Sequence, residues 1–122
     1  MNFEMMTRYG MIPYQRGGDG FSGIDCVSLA LRYYRDYLKF ELPASPWKWR
    51  QVLSLSSDVS DLRVHDLLFM QGANRVRITD HIGVLVHPTN VLHATSGYGG
   101  VVCVPLSYCR HLILRVARLK TS

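Results

Sequence analysis

Apolar residues recur with three- and four-residue spacing over residues 26–39, and this spacing predicts an amphipathic helix. Asp25 stands directly before that segment, where an N-cap or first-turn carboxylate is expected. Prolines at 43 and 46 end the pattern, and a second, shorter helix is predicted over residues 47–55. Residues 2–9 are predicted to form a short helical turn, and the glycine-rich residues 15–23 a loop.

Short apolar segments dominate the second half of the chain. They predict strands at residues 66–71, 78–87, 91–95, 101–105 and 112–119, with loop or turn structure at 56–64 and 72–77. A helix followed by closely spaced strands favours antiparallel hairpins and therefore an α+β fold. We expect the helix that begins at Cys26 to pack on an antiparallel sheet of about five strands.

Length and charge limit the classes of function. The 122 residues predict a single domain over 1–122, with no apolar run of the roughly 20 residues that span a bilayer. The first residues lack a basic start followed by an apolar stretch, so synthesis in the cytoplasm without a secretory signal is expected. The net charge of +5 is scattered rather than gathered in a basic stripe, so no nucleic-acid partner is predicted.

The three cysteines differ in setting. They are too few and too irregular for a disulfide scaffold, and Cys103 and Cys109 are interpreted as packing residues, although a bridge between them stays open. Cys26 begins the predicted helix, where unpaired amides and the helix dipole are expected to lower a thiol pKa. The alternative for Cys26 is a packing role, since a buried free cysteine behaves as a small hydrophobe.

Two histidines lie on consecutive predicted strands. If the hairpin turns around residues 86–88, His81 and His93 come opposite one another within hydrogen-bonding reach. If it turns at Pro88 and Thr89, they lie on opposite faces. Gly83 shares a strand face with His81, and its missing side chain would leave room beside the imidazole.

Other chemistry is less well supported. His65, His87 and His111 are interpreted as surface or structural residues. Zinc could bind Cys26, His81 and His93 by ligand type, but a close-spaced ligand pair is missing. The glycines lack the lysine of a phosphate-binding loop. We therefore predict no metal and no cofactor.

Six segments occur in a characteristic order along the chain: Gly10-Met-Ile-Pro-Tyr-Gln-Arg-Gly-Gly18, Gly23-Ile-Asp-Cys26, Asp66-Leu-Leu-Phe69, His81-Ile-Gly-Val84, Leu92-His-Ala94 and Arg115-Val-Ala-Arg118. Together they resemble the NlpC family of papain-like cell-wall peptidases, and the resemblance covers nearly the whole chain. It departs from the family pattern at Arg16 (usually aromatic), Val27 (often serine) and His65 (a glycine). These departures put the bond that is cleaved in doubt more than the mechanism.

The resemblance implies a papain-like α+β fold and a thiol peptidase that needs no metal. Cys26 would be the nucleophile, His81 the general base and acid, and His93 the residue that orients His81. Tyr14 would stabilise the oxyanion, and Asp25 would bind substrate. The implied substrates are peptidoglycan stem peptides, cut between D-glutamate and a diamino acid.

The missing signal leads to the hypothesis of a phage-tail or injection-machine component that acts on the cell wall. Alternatives are a related Cys-His amidase or acyltransferase on another substrate, and an inactive structural tail protein. The retained Tyr14, Cys26, His81 and His93 argue against an inactive protein, since a scaffold needs none of them.

Overall fold

A computed structural model describes residues 8–10, 12–20, 22–40, 48–71, 81–95 and 99–120. The helices bounded within these ranges are α1 Cys26–Leu38, α2 Lys48–Ser54 and α3 Leu106–Cys109, with a 3-10 turn at Arg110–Leu112 directly after α3. The strands are β1 Asp19–Gly20, β2 Gly23–Ile24, β3 Ser56–Asp58, β4 Leu67–Met70, β5 His81–His87, β6 Asn90–Thr95, β7 Gly100–Pro105 and β8 Ile113–Leu119.

Strands β3 to β8 form one antiparallel sheet in the order β3-β8-β4-β5-β6-β7. Helix α1 packs against β5 and β6 near the middle of this sheet. The predicted α+β fold, with the helix that begins at Cys26 lying on an antiparallel sheet, is therefore confirmed.

The sheet has six strands rather than about five, because β3 lies in the segment predicted as a loop. Ser56, Ser57 and Asp58 pair with the end of β8 at the sheet edge, and the last two are exposed. A polar, three-residue edge strand needs no apolar alternation, so periodicity could not reveal it.

Helix α1 begins as its sequence predicts. The Asp25 side chain accepts a hydrogen bond from the Ser28 amide at 2.7 Å, which caps the first turn. The helix ends at Leu38, where Lys39 adopts a left-handed conformation with φ of 55°. Its buried residues are Val27, Ser28, Leu29, Ala30, Tyr33 and Tyr34.

The two faces of the sheet belong to two apolar clusters, because strand side chains alternate. The larger cluster joins the buried side of α1 to one face through Leu67, Phe69, Ile82, Val84 and Leu92. The smaller cluster joins the other face to α3 through Leu68, Met70, Leu85, Val91, Leu106 and Cys109.

The start of β4 is fastened to α1 and β8. His65 has a φ of 82°, a conformation that favours glycine, and its Nδ1 lies 2.6 Å from the Tyr33 hydroxyl. The Tyr34 hydroxyl donates to the His65 carbonyl. Buried Asp66 accepts hydrogen bonds from Arg118 Nε at 2.7 Å and Nη2 at 2.9 Å. These contacts give His65 the structural role that the sequence analysis allowed.

Other predicted elements are partly described. The second helix, predicted over 47–55, is α2, and the glycine-rich loop contains the β1–β2 hairpin. Arg8 and Tyr9 are helical, whereas the rest of the predicted turn at 2–9 lies outside the described residues. The predicted turn at 72–77 and the first residues of the strand predicted over 78–87 also lie outside them.

Candidate active site

Cys26 is the first residue of α1, and its thiol lies against the start of β5. The backbone amide of Ile82 lowers the pKa of the thiol, and the amides of Val27 and of Cys26 itself act in the same direction. Ile82 directly follows His81, and α1 packs against β5, so the thiol lies toward the histidine-bearing end of the strand. The structure thus brings Cys26 to the strand that the sequence analysis selected.

The expectation of a lowered Cys26 pKa is wrong for this structure. Burial raises the pKa of the thiol to about 11, the hydrogen bond from Ile82 opposes this rise, and the negative charge of Asp25 adds to it. Removing the thiolate from water outweighs the amides at the helix start. Cys26 is therefore a neutral thiol near pH 7, and a thiolate requires a neighbouring proton acceptor.

His81 and His93 are directly hydrogen-bonded. His81 Nε2 lies 2.8 Å from His93 Nδ1, and the two ring planes meet edge to face at 72°. This bond engages Nε2 of the His81 ring and Nδ1 of the His93 ring.

The register that joins the histidines follows neither predicted alternative. The hairpin turns at Pro88 and Thr89, which was expected to separate the rings. Next to the turn, His87 pairs with Asn90. A register shift between Leu85 and His87 then moves the pairing by one residue, so that farther from the turn Leu85 pairs with Val91 and Val84 with Leu92. Extending this register puts His93 across from Gly83, diagonal to His81 and on the same face.

Gly83 permits the close approach of β5 and β6. The sequence analysis predicted open space at this position, and the structure differs from that prediction. A β-carbon at this position would lie 2.9 Å from Val91 Cγ1, 3.0 Å from Met70 Cε and 3.4 Å from His93 Cβ. The space above Gly83 is therefore filled by the neighbouring strands.

His93 is neutral at neutral pH. Burial, and then the charge of His81, lowers the His93 pKa to about 4, and the side chain is 8% exposed. When His81 carries a hydrogen on Nε2, that N–H donates the hydrogen bond, and Nδ1 of the neutral His93 accepts the bond. In that tautomer of the neutral His81 ring, the basic nitrogen is Nδ1.

Tyr14 is held next to the cysteine by the chain segment that precedes α1. Tyr14 pairs with Ile24 in an isolated parallel bridge, and the Ile24 amide donates to the Pro13 carbonyl at 3.0 Å. Burial raises the Tyr14 pKa, and the charges of Cys26 and then Asp25 raise it further, while Arg16 lowers it. Tyr14 is thus a protonated hydroxyl donor near the thiol.

Asp25 acts first as the cap of α1. Its Oδ1 accepts from Ser28, and its charge raises the pKa of both Cys26 and Tyr14. The predicted contact with substrate stays a prediction. The Ile82 amide was missed by the sequence analysis, because a backbone donor leaves no mark on residue type.

Within the described ranges, no group of three His, Cys, Asp or Glu residues is arranged to hold a metal ion. Cys26, Cys103 and Cys109 are free thiols. Among the helices described, none is long and apolar enough to cross a bilayer.

The geometry can be compared with known proteins. A profile of the NlpC/P60 family matches residues 10–117, which include every candidate site residue. The chain belongs to the NlpC/P60 family.

Curated relatives agree with this assignment. Over 91 residues, 75% of this chain, it is 29% identical to the Escherichia coli (strain K12) protein named murein DD-endopeptidase MepS/murein LD-carboxypeptidase. Over 70% of the chain it is 30% identical to a probable endopeptidase NlpC homolog of Haemophilus influenzae. The matches cover 46% and 43% of those relatives, so the chain spans about half their length.

A solved structure supports the fold. The NlpC/p60 domain of the peptidoglycan hydrolase SagA aligns with a TM-score of 0.62, covering 96% of this chain and 92% of that domain. At 19% identity, this likeness concerns the fold alone.

Replacing Gly83 with alanine tests the close approach of β5 and β6. We expect a loss of about 1–3 kcal/mol in the free energy of unfolding, because the added methyl group overpacks Val91, Met70 and His93. Urea denaturation measures the loss, and ¹⁵N NMR of the imidazoles reports on the His81–His93 bond. Gly20→Ala is the control, since its β-carbon would meet Arg32 at an ordinary 3.9 Å. Equal effects of the two substitutions would contradict this account of Gly83.

Burial of neutral His93 predicts a pH-dependent stability. Its folded pKa of about 4 lies below the ordinary value of 6.5, so between these limits the unfolded chain binds the proton and the folded chain does not. The contribution of His93 to the free energy of unfolding is complete above about pH 6.5, and it falls by about 1.4 kcal/mol per pH unit toward pH 4. Urea denaturation across this range should show a shallower slope for His93→Gln than for the unmodified protein. Identical slopes would refute the assignment.

Proposed function

We propose that this chain is a cysteine endopeptidase that hydrolyses amide bonds in peptidoglycan stem peptides. The observation that carries the proposal is the 2.8 Å bond between His81 and His93, at the strand end whose Ile82 amide lowers the pKa of the Cys26 thiol. A nucleophile, a base and a group that orients the base are the parts that thiol catalysis requires.

The proposed reaction begins with a proton transfer. The Cys26 thiol gives its proton to His81 Nδ1, while His81 Nε2–H donates to His93. The thiolate then attacks the amide carbonyl carbon, and the Tyr14 hydroxyl with a backbone amide near Cys26 stabilises the oxyanion.

Collapse of this intermediate breaks the C–N bond. His81 gives its proton to the departing amine, which leaves a thioester on Cys26. Water, deprotonated by His81, attacks the thioester, and the Cys26 thiolate leaves and recovers the proton. The cycle releases an acid and an amine and needs no further reactant.

The substrate class rests on family membership and on the relatives that are named as murein endopeptidases. Within that class, we propose the bond between D-glutamate and a diamino acid, as the sequence resemblance implies. The protein would then act on the cell wall. Association with a phage tail or tail-like particle stays a prediction from the sequence.

Substitution of Cys26 tests the proposed activity. Purified protein incubated with peptidoglycan should release fragments that mass spectrometry assigns to one cleaved amide bond. Cys26→Ala should reduce the rate by a factor of at least about 10³, since the nucleophile is lost. Cys103→Ala is the matched control, because Cys103 lies on β7 outside the proposed site. Equal fragment release by the Cys26→Ala and unmodified proteins would refute a thiol mechanism.

Alkylation tests the proton transfer from Cys26 to His81. At neutral pH, iodoacetamide should label Cys26 before Cys103 and Cys109, and His81→Ala should slow Cys26 labelling by about tenfold or more. A thiol with a pKa of about 11 depends on the imidazole for its thiolate. Mass spectrometry of the labelled peptides measures all three sites, so Cys103 and Cys109 serve as internal references. Cys26 labelling that is equally slow, or unaffected by His81→Ala, would contradict the transfer.

A further inference from the structure

Arg16 is a departure from the family pattern that the fold leaves unexplained. Of the other two, Val27 is 8% exposed and packs into the core below α1, and His65 is bound by Tyr33 and Tyr34 at the start of β4. Arg16 instead has an exposed side chain. Packing in the core therefore does not account for an arginine at position 16.

The backbone holds Arg16 close to the candidate site. It lies in a tight turn closed by a hydrogen bond from the Gly18 amide to the Gln15 carbonyl at 2.9 Å. The Gln15 amide donates to the Ile24 carbonyl at 3.1 Å, and the Asp25 amide donates to the Gly18 carbonyl at 2.9 Å. Both ends of the turn are thus fastened to the two residues that precede the nucleophile.

The positive charge of Arg16 lies near enough to the site to act on Tyr14, which is two residues away in the same fastened segment. This charge opposes the rise in the Tyr14 pKa that burial causes. Within the described part of the chain, no carboxylate lies within ion-pair distance of Arg16. Asp25 is the acidic residue closest in sequence whose side chain is described, and it caps α1 through Ser28.

We propose that Arg16 is a specificity-determining residue that binds a carboxylate of the peptide substrate on the Tyr14 side of the site. Arginine presents paired N–H donors that match the two oxygens of a carboxylate. This inference rests on the proposed function and deepens it. A stem peptide offers two sources of that group: the α-carboxylate of D-glutamate and the carboxylate at its C-terminus.

Paired substrates separate the two sources. The first pair of synthetic peptides carries D-glutamate or its α-amide, and the second pair ends in a carboxylate or an amide. In one of the two pairs, the members differ in the group that Arg16 recognises. For that pair, kcat/KM of the unmodified protein should be at least about tenfold higher for the carboxylate peptide than for the amide peptide, mainly because KM is lower. Arg16→Gln should bring that ratio close to one, and Arg16→Lys should restore part of it.

Arg110→Gln is the control for a general loss of positive charge, because Arg110 is an exposed arginine in the 3-10 turn before β8. It should keep the substrate ratio of the unmodified protein. A ratio near one for both pairs in the unmodified protein, or a ratio that Arg16→Gln leaves unchanged, would overturn the role of Arg16.

Binding separates this inference from the proposed function. Calorimetry with the Cys26→Ala protein measures peptide affinity without cleavage. Adding Arg16→Gln to this protein should weaken its affinity for the carboxylate peptide by about tenfold. If no peptide is cleaved by the unmodified protein but this difference appears, the proposed hydrolysis fails and the role of Arg16 stands. If cleavage occurs and the difference is absent, the role of Arg16 fails and the hydrolysis stands.

Discussion

The candidate site depends on the close approach of β5 and β6 where Gly83 meets His93. A single register shift near the hairpin turn decides which face of the sheet His93 occupies. Without the shift, continued pairing would place His93 across from Val84, on the face opposite His81. With it, the rings share a face, and glycine at 83 lets their strands come near enough for the 2.8 Å bond. One irregularity in the ladder thus creates the histidine pair.

Burial dominates the electrostatics of the site. It raises the Cys26 pKa, raises the Tyr14 pKa and lowers the His93 pKa, and each of these shifts favours the neutral form. In the proposed reaction, charge must then appear on these groups during catalysis instead of being present beforehand. A hydrogen-bonded pair suits this requirement, because His93 can stabilise a proton on His81 while remaining neutral itself. The Ile82 amide can likewise stabilise a transient thiolate without carrying charge.

The sequence predicted those features that local pattern controls. The start of α1, its cap at Asp25 and the strands that carry His81 and His93 follow from periodicity and residue type. The thiol pKa could not be predicted, because it depends on how much of the protein covers Cys26, and neither could the histidine register. The edge strand β3 lacked a pattern altogether. Long-range packing, rather than local preference, determined each of these differences.

Asp25 carries a charge that capping alone does not explain. Serine and asparagine cap helices about as well as aspartate, yet neither would raise the pKa of the nucleophile as the Asp25 carboxylate does. The charge therefore opposes formation of the thiolate that the proposed reaction needs. A cationic group on the substrate would reverse this effect, because neutralising Asp25 removes its unfavourable action on Cys26. Binding of an ammonium group would then lower the thiol pKa when substrate is in place, and the predicted contact between Asp25 and substrate would have this effect.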